Sequence, residues 1–345
     1  MAAGAILEER DGWTRPRSYG DPAEEYATVR RAVGLIDRGD LGALRVTGRD
    51  RAAFLHAMLS NDITSLPVGQ GCRATLLDIH GKVQVILVIL VGEEEILALT
   101  PPGMAASTLE MLDRYLFSEK AYLKDATAET ATLVVAGPEA PATLNRLGAT
   151  LPADAIWSEL KTSIDGVETR LVRGGIETGE VEFWLIAAAV DAPRLWQELT
   201  SAGARPVGIA AHESLRLEAG TAVYGRDIDG SVLLPEIPLA ELVSSTKGCY
   251  IGQEVVVRIR DRGHVNRHLR GLLLDGDAVP EAGARVHVGE TEVGKVTSAA
   301  WSYGLGRAIA LAFVRRQHAE PGTAVAVSAG DGRVTATVSA LPFAR

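Results

Sequence analysis

The spacing of apolar and polar positions divides the chain into a long mixed region and a tail of short strands. Asp21-Pro22 predicts a helix start, because aspartate caps the first amides and proline gives up no needed donor there. The helix is expected to run from Ala23 to Ile36, followed by Gly39, Gly42 and a strand from Ala43 to Thr47. A second helix, Asp50 to Leu59, should end at the turn cluster Ser60-Asn61-Asp62. Cys72 to Asp78 and Val83 to Val91 read as strands around a hairpin at His80-Gly81. The second is apolar without alternation, so it should be covered on both faces. Ile96 to Leu99 predicts a strand and Met104 to Phe117 a helix. Further strands are expected at Thr132 to Ala136, Glu168 to Val172 and Glu182 to Ala187. Helices are expected after Gly137-Pro138, over Ala192 to Ala202, and from Gly208 to Gly220. Strands and helices mix without strict βαβ alternation, which favours α+β layers over a doubly wound parallel sheet.

After about residue 265 the texture changes. Arg270 to Leu274, Ala284 to Val288, Glu292 to Ser298, Ala308 to Phe313, Ala324 to Ser328 and Arg333 to Ser339 alternate with glycine-rich turns, as in a small β-barrel or sandwich. Two units are therefore expected, residues 1–264 and 265–345, within the two or three domains that 345 residues suggest at about 150 each.

Composition narrows the function classes. With 47% hydrophobic and 23% charged residues the chain is an ordinary globular one. Its longest apolar run, Val85 to Val91, is far short of the roughly 20 residues that span a bilayer. The first residues lack the apolar core of a secretory signal, and two cysteines exclude a disulfide scaffold, so a reducing cytoplasm is expected. A net charge of −9 argues against a general nucleic-acid binder. No coiled-coil heptads call for an oligomer, and a monomer is expected.

The most unusual segment is Lys247-Gly248-Cys249-Tyr250-Ile251-Gly252-Gln253-Glu254. Glycines on both sides of one thiol suggest a turn that approaches something closely, and Lys247 would lower the thiol pKa. Cys249 has two readings, a working thiol or a structural cysteine in a glycine-rich turn. Just beyond lie Arg258, Arg260, Arg262, Arg267 and Arg270. Residues 247–270 hold six basic and two acidic side chains, a +4 island in an acidic chain. It is either a solvated face or a seat for an anion. His264 and His268 have the i, i+4 spacing of helical metal ligands, but the strand-like Val255 to Ile259 and Gly263 speak against a helix, so no metal site is expected. No phosphate-binding loop and no G-x-S-x-G elbow is present.

The segment Lys247 to Glu254 resembles the K-G-C-[YF]-x-G-Q-E signature of the YgfZ-type folate-binding proteins. These belong to the superfamily of the glycine cleavage system T-protein, a tetrahydrofolate-dependent aminomethyltransferase. Gly34-Leu35-Ile36-Asp37 through Val46-Thr47-Gly48, and Ser60-Asn61-Asp62-Ile63, resemble its N-terminal region. Gly208-Ile209-Ala210-Ala211, Ser214 to Gly220 and Tyr224-Gly225 resemble a further family segment. The resemblance spans essentially the whole chain. It implies a T-protein-like ring in which two ferredoxin-like α+β parts surround a channel and a small β-barrel closes them.

The resemblance also assigns roles. Where the T-protein has paired aspartates after a glycine hairpin, this chain has Val85-Ile86, so no carboxylate assists there. The folate-contacting arginine falls on His212, and the pterin-holding glutamate on Glu182 or Trp184, with Glu182 preferred for its acceptor oxygens. Arg216, Tyr224, Lys247 and Arg258 complete the implied folate-binding set, and Cys249 with Lys247 would be the reactive thiol and its activator. The implied ligand is tetrahydrofolate or a one-carbon-substituted form, with its glutamate tail near the basic island. The implied function is a folate-binding accessory factor for iron–sulfur cluster assembly or repair, with client proteins or assembly factors as partners. The alternative is a folate-dependent aminomethyl or methyl transferase or demethylase; least favoured is an interaction module whose Cys249 loop only packs.

Overall fold

The computed structural model describes residues 4–10, 13–238, 240–330 and 332–344. Two sheets face each other. One has five antiparallel strands in the order Gln70–Leu77, Val83–Val91, Glu95–Thr100, Gly42–Thr47 and Tyr122–Asp125. The other has six, in the order Glu159–Ile164, Val167–Arg173, Glu182–Ala188, Thr130–Ala136, Gly34–Asp37 and Arg205–Pro206, with only the last pair parallel.

Strand alternation sorts the core into layers. Val85, Leu87 and Ile89 point away from the second sheet into a cluster with Phe54, Leu55 and Leu112 of the helices Arg51–Met58 and Ala105–Asp113. Val88 and Leu90 face the other way, against Val134, Trp184 and Ile186 of the six-stranded sheet. Strand Val83–Val91 is thus covered on both faces, as its unbroken apolar run predicts. The outer face of the six-stranded sheet packs on Leu144, Leu195 and Leu199 of the helices Ala140–Arg146 and Ala192–Ser201.

The tail is a closed barrel of six strands, Arg267–Leu274, Arg307–Arg315, Thr291–Ser302, Arg285–Val288, Ala324–Ala329 and Gly332–Ser339 in order around it. Leu272, Val286, Ala310 and Val338 fill its interior. Leu269, Leu311 and Phe313 point outward and share a second core with Ile86, Leu217, Tyr250 and Val256, which seats the barrel on the sheets. Each of the six predicted barrel strands is present. No helix among the described residues is long and apolar enough to cross a membrane.

Two local expectations are corrected. The first helix is Pro22–Arg31, capped by Asp21 as predicted, but it stops before Gly34. A Cβ at Gly34 would lie 2.5 Å from Val29 Cγ2. Residues Gly34–Asp37 are a strand whose Leu35 and Ile36 enter opposite cores. Second, the strand-like Val255 to Ile259 lies within a helix, Gln253–Arg262. Its Val256 is buried against the barrel while Arg258, Arg260 and Arg262 are exposed, so one packed stripe outweighs β-branched propensity. The helix ends at Gly263, which leaves His264 beyond it and His268 on the first barrel strand.

Candidate functional site

The chain leaves the six-stranded sheet at Asp37 and enters the five-stranded one at Gly42, carrying Arg38 and Asp40 across the gap between them. Helix Ile209–Glu218 and residues 221–226 close this gap. Two adjoining cavities, of about 80 and 110 Å³, share Arg38, Pro102, Glu177, Thr221, Val223 and Tyr224. The first has apolar walls from Ile86, Val88, Leu99 and Trp184; the second is polar, with Arg15, Asp40, His212 and Arg216.

A chain of alternating charges crosses the cavities. Arg15 Nη1 donates to Asp40 Oδ2 at 2.9 Å, and Arg38 Nε donates to Asp40 Oδ1 at 3.0 Å. Arg38 Nη1 pairs with Glu177 Oε2, and His212 Nε2 lies 2.8 Å from that same oxygen. Burial alone would raise both carboxyls. For Glu177 the Arg38 charge, with His212, outweighs burial and holds the group well below its ordinary range. For Asp40, Arg38 and Arg15 do the same. Burial would lower Arg38, but Asp40 and Glu177 hold it above its ordinary value. All three therefore stay charged at neutral pH. No hydrogen bond among the described residues reaches Glu177 Oε1, so this carboxylate keeps an acceptor for a ligand. Arg73 adds a second buried cation to the apolar cavity; burial lowers its pKa, and its Nε has no hydrogen-bond partner among the described residues.

The residues singled out from sequence separate into two groups. His212, Arg216 and Tyr224 come together as cavity lining. Arg216 is fully engaged, with Nε and Nη2 on Glu213 at 2.9 and 2.8 Å and Nη1 on Asp227 at 2.9 Å. Tyr224 lines both cavities, and burial with the Asp229 charge raises its pKa. Glu182 lies beneath the site and lines neither cavity. Its carboxylate is fully buried and accepts from the amides of Ile176, Glu177 and Thr178, from Thr178 Oγ1 and from Trp184 Nε1, at 2.9–3.2 Å. Burial, then the Glu177 charge, raises its pKa. Glu182 thus folds the loop that presents Glu177.

Lys247, Cys249 and Arg258 lie elsewhere; among the described residues, none from 247–270 lines either cavity. Lys247 Nζ donates to the carbonyls of His56, Leu59 (2.5 Å) and Asn61 (3.2 Å), holding the C-terminal end of helix Arg51–Met58. Half-buried there, its pKa is lowered to about 8. The expected activator of Cys249 is thus committed to main-chain oxygens. Gly252 adopts φ +79°, and a Cβ there would stand 2.4 Å from Asp78 O, so the second motif glycine lets the segment meet the hairpin at residues 78–81. Tyr250 is buried in the core under the barrel, whereas Cys249 and Arg258 are exposed. Sequence reasoning missed Arg38, Asp40, Arg73 and Glu177. The one signal available was Arg73, a charge inside a strand whose neighbours are apolar.

Comparison with known proteins decides the family. The GCVT N-terminal domain family matches residues 1–247, and the glycine cleavage T-protein C-terminal barrel domain matches residues 267–344. The chain belongs to the glycine cleavage T-protein family. Full-length relatives include an aminomethyltransferase from Streptomyces avermitilis, 35% identical over 99% of this chain and 94% of that protein. One from Thermus thermophilus is 34% identical over 99% and 96%. The crystal structure of glycine cleavage system aminomethyltransferase T from Bartonella henselae superposes with a TM-score of 0.91 at 24% identity, covering 99% of this chain and 95% of that one. That likeness carries the family fold across the whole T-protein-like chain, two α+β layers and the barrel included.

Proposed function

We propose that this T-protein family member binds tetrahydrofolate, or a one-carbon-substituted form, between its two sheets and carries out one-carbon transfer of the aminomethyltransferase kind. The observation that carries the reading is the pairing of an apolar slot with an ionised carboxylate, Glu177, in its lining. A pterin has flat apolar faces and an edge of amino and ring N–H groups, so it fits that donor-and-acceptor pattern. Its full-length relatives named aminomethyltransferase support the same reading. Glu177, with Arg38 and His212 holding it ionised, would read the pterin edge, and Glu182 would hold the Glu177 loop. Trp184 would stack on the ring and Tyr224 would stand at the junction of the cavities. Each cavity is smaller than a ligand site for a whole folate, so binding would displace side chains of residues 221–226.

A second reading, a YgfZ-type folate-binding accessory factor for iron–sulfur enzymes, is favoured by Ile86. This side chain lines the slot where the resemblance puts one of the T-protein aspartates. One paired experiment separates the two. Tetrahydrofolate is titrated while the protein's tryptophan fluorescence is followed, and one-carbon transfer from methylene- or methyl-tetrahydrofolate is then assayed. Saturable binding with turnover supports transfer, binding without turnover supports the accessory reading, and absence of binding overturns both. In the same titration Glu177→Gln should weaken binding about tenfold or more, the scale of a charge-assisted hydrogen bond.

A further inference from the structure

A second cleft lies away from the central cavities, where the edges of the two sheets meet. Gly69 and Glu159 join them through a main-chain hydrogen bond, Glu159 N to Gly69 O at 2.8 Å. Beside that junction opens a cavity of about 690 Å³ bordered by Glu93, Glu94, Glu95, Glu159, Lys161 and Arg170. An adjoining one of about 430 Å³ shares Glu95, Lys161 and Arg170 with it. None of these residues lines the central cavities. The volumes fall in the range of small-molecule sites, roughly 300–1,000 Å³.

The cleft floor carries a charge pattern left incomplete. Arg170 is buried, its Nη2 donates to Glu95 Oε1 at 2.9 Å and its Nε lies 3.3 Å from Glu159 Oε2. Its Nη1 is covered from solvent yet meets no acceptor among the described residues. Glu159 Oε2 is likewise buried with no hydrogen bond among the described residues, and its ion-pair neighbour is that Arg170 Nε at 3.3 Å. A buried donor and a buried acceptor are therefore left unsatisfied side by side, a costly arrangement unless a ligand completes it. At the rim, Lys161, Glu93 and Glu94 are exposed, and no ion pair joins their side chains to other described residues. Burial, with the Glu95 charge beside it, raises the Glu159 pKa even though Arg170 and Lys161 pull it down.

We propose that this cleft binds a basic α-amino acid, with its carboxylate on Arg170 and Lys161, its α-ammonium on Glu159, and its side-chain cation between Glu93 and Glu94. The buried donor calls for an anionic group and the buried acceptor for a cationic one a few ångströms away, which a zwitterion supplies. The acidic rim then selects a second positive charge.

Calorimetric titration of the full chain with L-lysine tests this, with L-alanine, L-glutamate and putrescine as comparison ligands. L-lysine should bind saturably, more tightly than L-alanine, while L-glutamate and putrescine bind more weakly than L-lysine. Glu93→Gln/Glu94→Gln should weaken L-lysine about tenfold and leave L-alanine unchanged, and Lys161→Ala should weaken both amino acids by a similar factor. These variants change exposed side chains and should keep the wild-type circular dichroism spectrum. Tetrahydrofolate should not compete with L-lysine, so this test does not depend on the central cavity. Absence of saturable L-lysine binding, equal binding of putrescine, or variants with wild-type affinity would overturn the assignment.

Discussion

The central cavity and the Lys247–Glu254 segment invite comparison. The segment is contiguous and distinctive, yet three of its eight residues hold structure together. Lys247 ties down a helix end, Gly252 lets two turns touch, and Tyr250 fills the core under the barrel. The cavity is assembled from single residues at 15, 38, 40, 177 and 212, of which only His212 stands out in the sequence. A contiguous motif can thus serve packing between the sheets and the barrel, while the candidate site is assembled from residues far apart in the chain. Cys249 of the same segment is free and exposed.

The comparison breaks most forcefully at the cavity wall. Arg216 balances Glu213 and Asp227 inside the fold, so Arg216→Met takes the Arg216 cation from the buried Asp227 and leaves Glu213 to Arg226. Urea unfolding should show a loss of about 3–5 kcal/mol, the cost of breaking a buried pair from one side. A loss near zero would mean that these charges rearrange freely, and the cavity would not be a rigid one.

Lys247 comes next. If it is a clasp, Lys247→Met should cost about 1.5–3 kcal/mol, the worth of hydrogen bonds from a charged donor, and leave tetrahydrofolate affinity unchanged. Loss of ligand affinity at unchanged stability would return Lys247 to the binding set and undo the contrast.

A subtler change concerns acid. Because its pairing holds the Glu177 pKa below the ordinary 4.5, its contribution to stability is complete above that value and lost as pH falls through the lower, folded one. Glu177→Gln should therefore be less stable than the parent at neutral pH, and the gap should close as pH drops below about 4.5. Urea midpoints at neutral and acid pH measure it; a gap that stays constant would show that the Arg38 pairing is not what holds this carboxylate ionised.

How far each region could be read from sequence follows from how local its cause is. The six barrel strands and the doubly covered Val83–Val91 are legible because alternation, apolar runs and glycine turns act over a few residues. Gly34–Asp37 is obscured because its two apolar residues serve opposite cores, and 253–262 because a packed stripe overrides β-branched propensity. The expectation that Glu182 faces a ligand differs from the structure, where its oxygens are spent on the amides of the loop and Glu177 lines the cavities instead. That exchange depends on how residues 174–178 close over the strand, which nothing in the local spacing encodes.

The smallest effect sharpens the comparison from the side of the motif. Two thiols are present, and their surroundings differ. Cys72 is largely shielded on the strand beneath Lys247, and burial, helped by the Asp62 charge, pushes its pKa up to about 12 even though the Lys247 ammonium pulls the other way. It should stay a protonated, slow thiol near pH 8. Cys249 is exposed and free. A disulfide reagent added to the native protein near pH 8 should therefore release one fast equivalent, which Cys249→Ser abolishes with no change in unfolding midpoint. Two fast equivalents would mean that the strand end at Cys72 opens readily. The Lys247 clasp would then be too loose to count as structure, and the division between a structural motif and a chemical cavity would fail.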